Sequence, residues 1–305
     1  MRVLVLDKDF DQYRQLLAAA GVAADAGADP GAHAGDYDVL LAQPDLAARY
    51  LEQGGEVAWI QSTWAGIDRL LPAALGRDLV VTAVKGIFGP QMAEYVFAFL
   101  LGQSRSLAFY RAEQDALRWT PQVPRSLAGQ SMVILGTGTI GNHIAGVARA
   151  FGMRSCGISR SARPAANFDR VCALDEAPDA ARGARVLVNT LPATAHTRGA
   201  LNAALLHALD PAATLFNVGR GEAVDEASLR GWLEARPQSM AVLDVFAREP
   251  LPADHWLWRH PQVRITPHVA ALSVPADVVA IFLDNLQRRQ RGQPLRYVID
   301  LARGY

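Results

Sequence analysis

Nine short apolar runs alternate along this chain with segments of helical period, a pattern best accommodated by a parallel sheet with helices on both faces. The runs are "RVLVL" (2–6), "YDVLLA" (37–42), "VAWIQ" (57–61), "LVVTA" (79–83), "MVILG" (132–136), "SCGIS" (155–159), "RVLVNT" (185–190), "ATLFNV" (213–218) and "MAVLDV" (240–245). They are apolar throughout rather than alternating, as expected of strands buried on both sides. The expectation is an α/β protein, and 305 residues are enough for two domains at roughly 150 residues each.

"WTPQVPRSLAGQ" (119–130) interrupts the alternation with two prolines and a glycine. Before it, "GPQMAEYVFAFLLGQSRSL" (89–107) reads as a helix with Pro90 in its first turn, where a missing N–H costs least. Near the other end, "VPADVVAIFLDNLQRRQRGQP" (274–294) reads as a helix with Pro275 early and Gly292 after its last basic turn. If that helix completes the first domain, residues 1–97 with 276–305 form one domain and 98–275 form a dinucleotide-binding domain.

Thirty basic side chains balance thirty acidic ones, so no net field favours nucleic acid or an anionic membrane as a partner. No apolar run reaches the ~18 residues of a membrane span. The apolar run after Met1 is too short for a signal peptide and is followed by Asp7, so it reads as a first strand. Cys156 and Cys172 form no CxxC pair and no zinc-spaced cluster, which fits a reducing cytoplasm and no metal site. An anionic small molecule would have to be caught locally.

The glycine loop supplies one such place. Gly136-Thr137-Gly138-Thr139-Ile140-Gly141 follows an apolar strand, and Ile140, Ile144, Val147, Ala148 and Phe151 continue along one helical face. Gly136 permits the tight turn, Gly138 lets backbone approach a pyrophosphate, and Gly141 allows helix and strand to pack closely. The helix N-terminus, through Thr139 and Ile140, then offers N–H groups to phosphate.

The next strand should end at the adenosine ribose, where an Asp or Glu would bind the 2′-hydroxyl of NAD. This chain has Ser159 and Arg160 within "GISRSAR" (157–163). A hydroxyl and a guanidinium suit the 2′-phosphate of NADP(H). NADPH is the expected cofactor, with NAD possible.

Further on, "NVGRGEAVDEASL" (217–229), "LDVFAREPLP" (243–252) and "ITPHVAA" (265–271) each place a polar residue just past an apolar run: Arg220, Glu249 and His268. Carboxyl ends of strands are where open α/β sheets bind ligands. Arginine can clamp a carboxylate in bidentate form, and histidine can donate a proton near neutral pH. A carboxylate beside the histidine favours its charged form.

These segments, with "STWAGID" (62–68), "GPQMAEYV" (89–96) and "NTLPATAHTRGALN" (189–202) in the same order, make the chain similar to the D-isomer-specific 2-hydroxy acid dehydrogenases, particularly their glyoxylate/hydroxypyruvate reductase branch. The resemblance implies two doubly wound parallel-sheet α/β domains, Rossmann and flavodoxin-like, with the active site in the cleft between them. It implies that Arg220 binds the substrate carboxylate, that His268 is the acid/base and that Glu249 pairs with it. It also implies that N–H groups around Ala65 and Gly66 help hold the carboxylate, that Leu191 and Pro192 flank the cofactor, that Asp244 lies near the nicotinamide carboxamide, and that the protein is a homodimer.

Trp64, Lys85 and Phe88 depart from the family's usual residues. Trp64 and Phe88 are expected to narrow the cleft in favour of glyoxylate or hydroxypyruvate. His143, His255 and His260 read as structural. Two other functions use the same fold: an NAD-linked dehydrogenase of a larger or phosphorylated 2-hydroxy acid, and a cofactor-sensing protein without turnover.

Overall fold

All nine apolar runs form strands in the computed structural model, which describes residues 1–304 except 34 and 36. Twelve strands occur among the described residues: β1 (Val3–Leu6), β2 (Ala24–Gly27), β3 (Val39–Ala42), β4 (Trp59–Ser62), β5 (Val80–Thr82), β6 (Ser131–Leu135), β7 (Arg154–Ile158), β8 (Arg170–Cys172), β9 (Val186–Asn189), β10 (Thr214–Asn217), β11 (Met240–Leu243) and β12 (Val263–Ile265). The three strands missed from the sequence, β2, β8 and β12, all lie at sheet edges. One flank of an edge strand has no neighbour, and their residues "ADAG", "RVC" and "VRI" are too polar or too few to stand out.

The chain divides into two compact units, Met1–Ile87 with Ser273–Tyr305, and Phe88–Leu272. The helix Gly89–Ser104 runs unbroken through position 97, so the units part ahead of it rather than within it.

The first unit holds a five-stranded parallel sheet in the order β2-β1-β3-β4-β5, the flavodoxin-like order. Leu4, Leu6, Leu40 and Ile60 share a core with Ile67 and Ile299. Trp59 stacks on Phe282 of the helix Pro275–Gln290, with ring centroids 5.4 Å apart. The C-terminal segment therefore completes this unit.

The second unit holds a seven-stranded parallel sheet, β12-β11-β10-β9-β6-β7-β8. It is a Rossmann sheet with one added strand, and its order reverses between β6 and β9, the switch point at which such sheets bind ligands. Val133, Leu135, Leu187 and Leu215 point into one core with Trp232. Met132, Ile134, Val186, Val188 and Phe216 point into another with Val96, Phe97 and Ile144. Successive residues of one strand enter opposite cores, which is why these runs are apolar without interruption.

Among the described residues, no helix is long and apolar enough to cross a membrane. Trp232, with no exposed surface, is a large contributor to the second unit's core. Trp232→Ala is expected to cost about 3–5 kcal/mol, read as a lowered urea midpoint with the same folded-state far-UV circular dichroism.

Candidate active site

The sequence-derived candidates of the second unit lie at the carboxyl ends of its strands, in the loops that follow them or, for Thr139, Ile140 and Gly141, in the first turn of the next helix. After β6, Gly136 adopts φ +101, a conformation open chiefly to glycine. Thr190 Oγ1 sits where a Gly136 side chain would be, and donates to the Leu135 carbonyl at 2.9 Å. A Cβ on Gly141 would overlap the Gly136 carbonyl, while one on Gly138 would meet nothing within 4 Å. Gly141 therefore seats the helix Thr139–Ala150 on the strand, and Gly138 leaves the loop's outer side open.

That helix has no side-chain cap and no acidic residue in its first turn. Its first N–H groups and positive dipole end suit a phosphate. The end of β7 lies against the same loop, since a Cβ on Gly157 would stand 2.6 Å from Thr137 Cγ2. There the Ser159 amide is tied to the Cys172 carbonyl at 3.0 Å. Its side-chain Oγ is buried with no hydrogen-bond partner among the described residues. A buried hydroxyl normally finds a partner, and a ribose or its phosphate would provide one. Arg160 and Arg163 are exposed beside it. These features fit a nicotinamide adenine dinucleotide.

The three polar residues proposed for chemistry are brought together within this unit. His268 Nδ1 and Glu249 Oε2 are 2.9 Å apart. The other carboxylate oxygen of Glu249 accepts from the Phe246 amide at 2.9 Å. Burial works to raise the Glu249 pKa, but the hydrogen bonds from His268 and Phe246, with the charges of His268 and Arg220, outweigh it and hold the group below the ordinary glutamate value. Glu249 is thus kept as a carboxylate. Arg220, half-buried after β10, donates from Nη1 to the Gly219 carbonyl at 2.8 Å.

His268 has φ +56, a left-handed conformation that costs a non-glycine residue about 1–3 kcal/mol and persists only where its surroundings impose it. Asp244 imposes it here. Its main-chain carbonyl accepts from the His268 amide at 2.9 Å. Its buried carboxylate accepts from Thr266 Oγ1 at 2.6 Å and from the amides of Val269 and Ala270 at 2.9 and 3.0 Å. With the Thr266 proton committed to Asp244, Tyr95 donates its own to Thr266 Oγ1, 2.6 Å away. Burial pushes the Tyr95 hydroxyl up to about 12, so it remains a donor.

Thr190, Thr266 and Tyr95 were not singled out in the sequence, because nothing in the local pattern separates them from ordinary strand-end or helix residues. Leu191 is buried and Pro192 exposed in the loop after β9. Thr197 shapes that loop by donating to the Pro192 carbonyl at 2.6 Å and accepting from the Thr194 amide at 2.9 Å.

In the first unit, Ala65 and Gly66 follow β4. The loop is pinned on one side by a bond of 2.9 Å from Thr63 Oγ1 to Asp7, and on the other by the buried Ile67. Trp64 is 39 % exposed, whereas Phe88 is 6 % exposed; of the two aromatic rings expected to limit substrate size, only Trp64 presents a surface. His143 packs against the helix Gly89–Ser104, since a Cβ on Gly89 would stand 2.8 Å from its own Cβ.

The family model "D-isomer specific 2-hydroxyacid dehydrogenase, NAD binding domain" matches residues 97–270. The glyoxylate/hydroxypyruvate reductase A of Escherichia fergusonii is 36% identical over 248 residues, covering 79% of this chain and 80% of the relative. Among solved structures, a D-isomer specific 2-hydroxyacid dehydrogenase family protein from Aeromonas salmonicida subsp. salmonicida is 42% identical with a TM-score of 0.92, covering 98% of this chain and 99% of the other. An NADPH-dependent glyoxylate/hydroxypyruvate reductase from Sinorhizobium meliloti, solved with NADP and sulfate, is 28% identical with a TM-score of 0.86, covering 100% and 99%. With a glycine loop, a strand-end dinucleotide site and a His–Glu pair on a parallel sheet, the chain belongs to the D-isomer specific 2-hydroxyacid dehydrogenase family and is an NAD(P)-dependent oxidoreductase.

Proposed function

We propose that the protein reduces small 2-oxo acids of the glyoxylate and hydroxypyruvate type to 2-hydroxy acids, with NADPH preferred over NADH. The observation that carries the cofactor preference is the end of β7, where the buried Ser159 hydroxyl, with no partner among the described residues, and the exposed Arg160 replace the carboxylate an NAD site would use. When bound, the nicotinamide supplies the hydride that reaches the carbonyl carbon. Gly136, Gly138 and Gly141 shape the turn for the pyrophosphate, and the first-turn amides of Thr139 and Ile140 bind it. Leu191 and Pro192 flank the nicotinamide, and Asp244 stands toward its carboxamide.

Arg220 clamps the substrate carboxylate, a task suited to a planar guanidinium that stays charged. His268 gives its proton to the carbonyl oxygen as the alkoxide develops. Glu249 holds the imidazole by Nδ1, 2.9 Å away, so Nε2 is the nitrogen that faces the substrate in this reading. Trp64, with its exposed ring, limits the substrate's side chain.

The homodimer expected from the family resemblance finds support in the strap between the helix Leu107–Asp115 and β6, where Leu117, Trp119 and Val123 are each at least nine-tenths exposed. An apolar strap of this kind is costly to leave in water. We assign it to contact with a second copy.

Three measurements test this reading. Charge-assisted hydrogen bonds are worth roughly 1.5–3 kcal/mol, so kcat/KM for NADPH should exceed that for NADH by about 10- to 150-fold, and Arg160→Ala should remove most of that preference; equal use of both by the wild type would contradict it. His268→Gln should lower kcat on glyoxylate by roughly 10²- to 10⁴-fold while NADPH still binds, and a wild type that binds NADPH without oxidising it would point to a sensor instead. Light scattering on the eluting protein should give twice 32.9 kDa, and Trp119→Ala with Val123→Ser should shift it toward the monomer.

A further inference from the structure

Arg220 carries the substrate clamp on a loop, and the structure shows what holds that loop in place. β9 and β10 are parallel neighbours, and their last residues, Asn189 and Asn217, stand directly opposite each other. Both side chains are completely buried. Asn189 Nδ2 donates to Asn217 Oδ1 at 2.8 Å. Each amide then turns to its own outgoing loop: Asn189 Oδ1 accepts from the Leu191 amide at 3.2 Å, and Asn217 Oδ1 accepts from the Gly219 amide at 3.3 Å. Asn217 Nδ2 donates to the main-chain carbonyl of Arg220 at 3.0 Å.

The orientation of both amides is dictated by these partners, because reversing either one would oppose donor to donor or acceptor to acceptor. No other side chain of similar shape supplies both functions: aspartate would lack the donor and bury a charge, and leucine would lack donor and acceptor. The loop is equally constrained on its far side. A Cβ on Gly221 would overlap the main chain of Phe246 and Ala247, and one on Gly219 would stand 2.7 Å from the Leu191 carbonyl. With both neighbouring glycines pressed against backbone, Asn217 holds the loop at two points, the Gly219 amide and the Arg220 carbonyl, the latter also accepting from the Ala223 amide at 3.3 Å.

We infer that Asn217, locked by Asn189, is a positioning residue for the 2-oxo acid reaction, acting on substrate through the main chain of Arg220. This rests on the assignment of Arg220 to the substrate carboxylate. It identifies a determinant of substrate affinity that touches neither substrate nor cofactor.

The test is a double-mutant cycle on the full-length protein, with glyoxylate as the varied substrate and NADPH saturating. Asn217→Ser is expected to raise the KM for glyoxylate by about tenfold, and in an Arg220→Lys background by less than roughly twofold, because residues that act as a unit are not additive. The Kd for NADPH, read by its fluorescence, should change little. An equal increase in both backgrounds, with Arg220→Lys itself impaired, overturns the positioning role alone. An unchanged KM for Arg220→Lys overturns the carboxylate assignment and this inference with it. Should Asn217→Ser fail to fold, Asn189→Ser reaches the Arg220 loop through Asn217 and is judged in the same two backgrounds by the same criterion.

Discussion

Where a parallel strand stops, its neighbours' backbone groups lose their ladder partners, and buried groups of this kind must be satisfied some other way. In the larger unit side chains help to meet that requirement at the ends of β6, β9, β10 and β11. Thr190 takes the Leu135 carbonyl beside the glycine loop. Asn189 and Asn217 take the Leu191 and Gly219 amides and the Arg220 carbonyl. Asp244 takes the Val269 and Ala270 amides. The same bonds that satisfy the backbone place the loops that carry Arg220 and His268, so the cost of ending the sheet and the placement of the chemistry are met by one set of contacts.

The electrostatics follow from that placement. Glu249 is partly buried, yet it stays ionised because His268, the Phe246 amide and Arg220 surround it with donors and positive charge. A carboxylate fixed in this way holds the imidazole in one orientation, with one ring nitrogen committed. At the other end of the dinucleotide site the arrangement is reversed. Ser159 and Arg160 present a hydroxyl and a cation, with no acid among the residues that end β7 or follow it up to Phe168. Two regions at the carboxyl ends of one sheet thus differ: one holds a carboxylate beside a histidine and an arginine, the other a hydroxyl and a cation with no acid.

Much of this was legible in the chain itself. Runs such as "MVILG" and "ATLFNV" announce strands buried on both faces because both of their faces enter apolar cores, and the glycine spacing announces the phosphate turn. The edge strands β2, β8 and β12 were not legible, since half-exposed strands of three or four residues carry no distinctive periodicity. Asp244 was noticed as a neighbour of the cofactor, but the hold of its two oxygens on the His268 loop was not legible. Asn189 and Asn217 were quoted within motifs and given no task. An asparagine at a strand end looks like any turn residue until its register partner is known.

The linear order of residues was sufficient to specify the parallel α/β architecture and the dinucleotide turn, which depend on local pattern, and, through the family resemblance, to nominate Arg220, Glu249 and His268 as candidates. The pairing of Asn189 with Asn217, the left-handed backbone of His268 and the chain from Tyr95 through Thr266 to Asp244 came only with the fold. Each joins residues 22 or more positions apart, and the burial that makes such bonds obligatory arises only once the sheet has assembled around them.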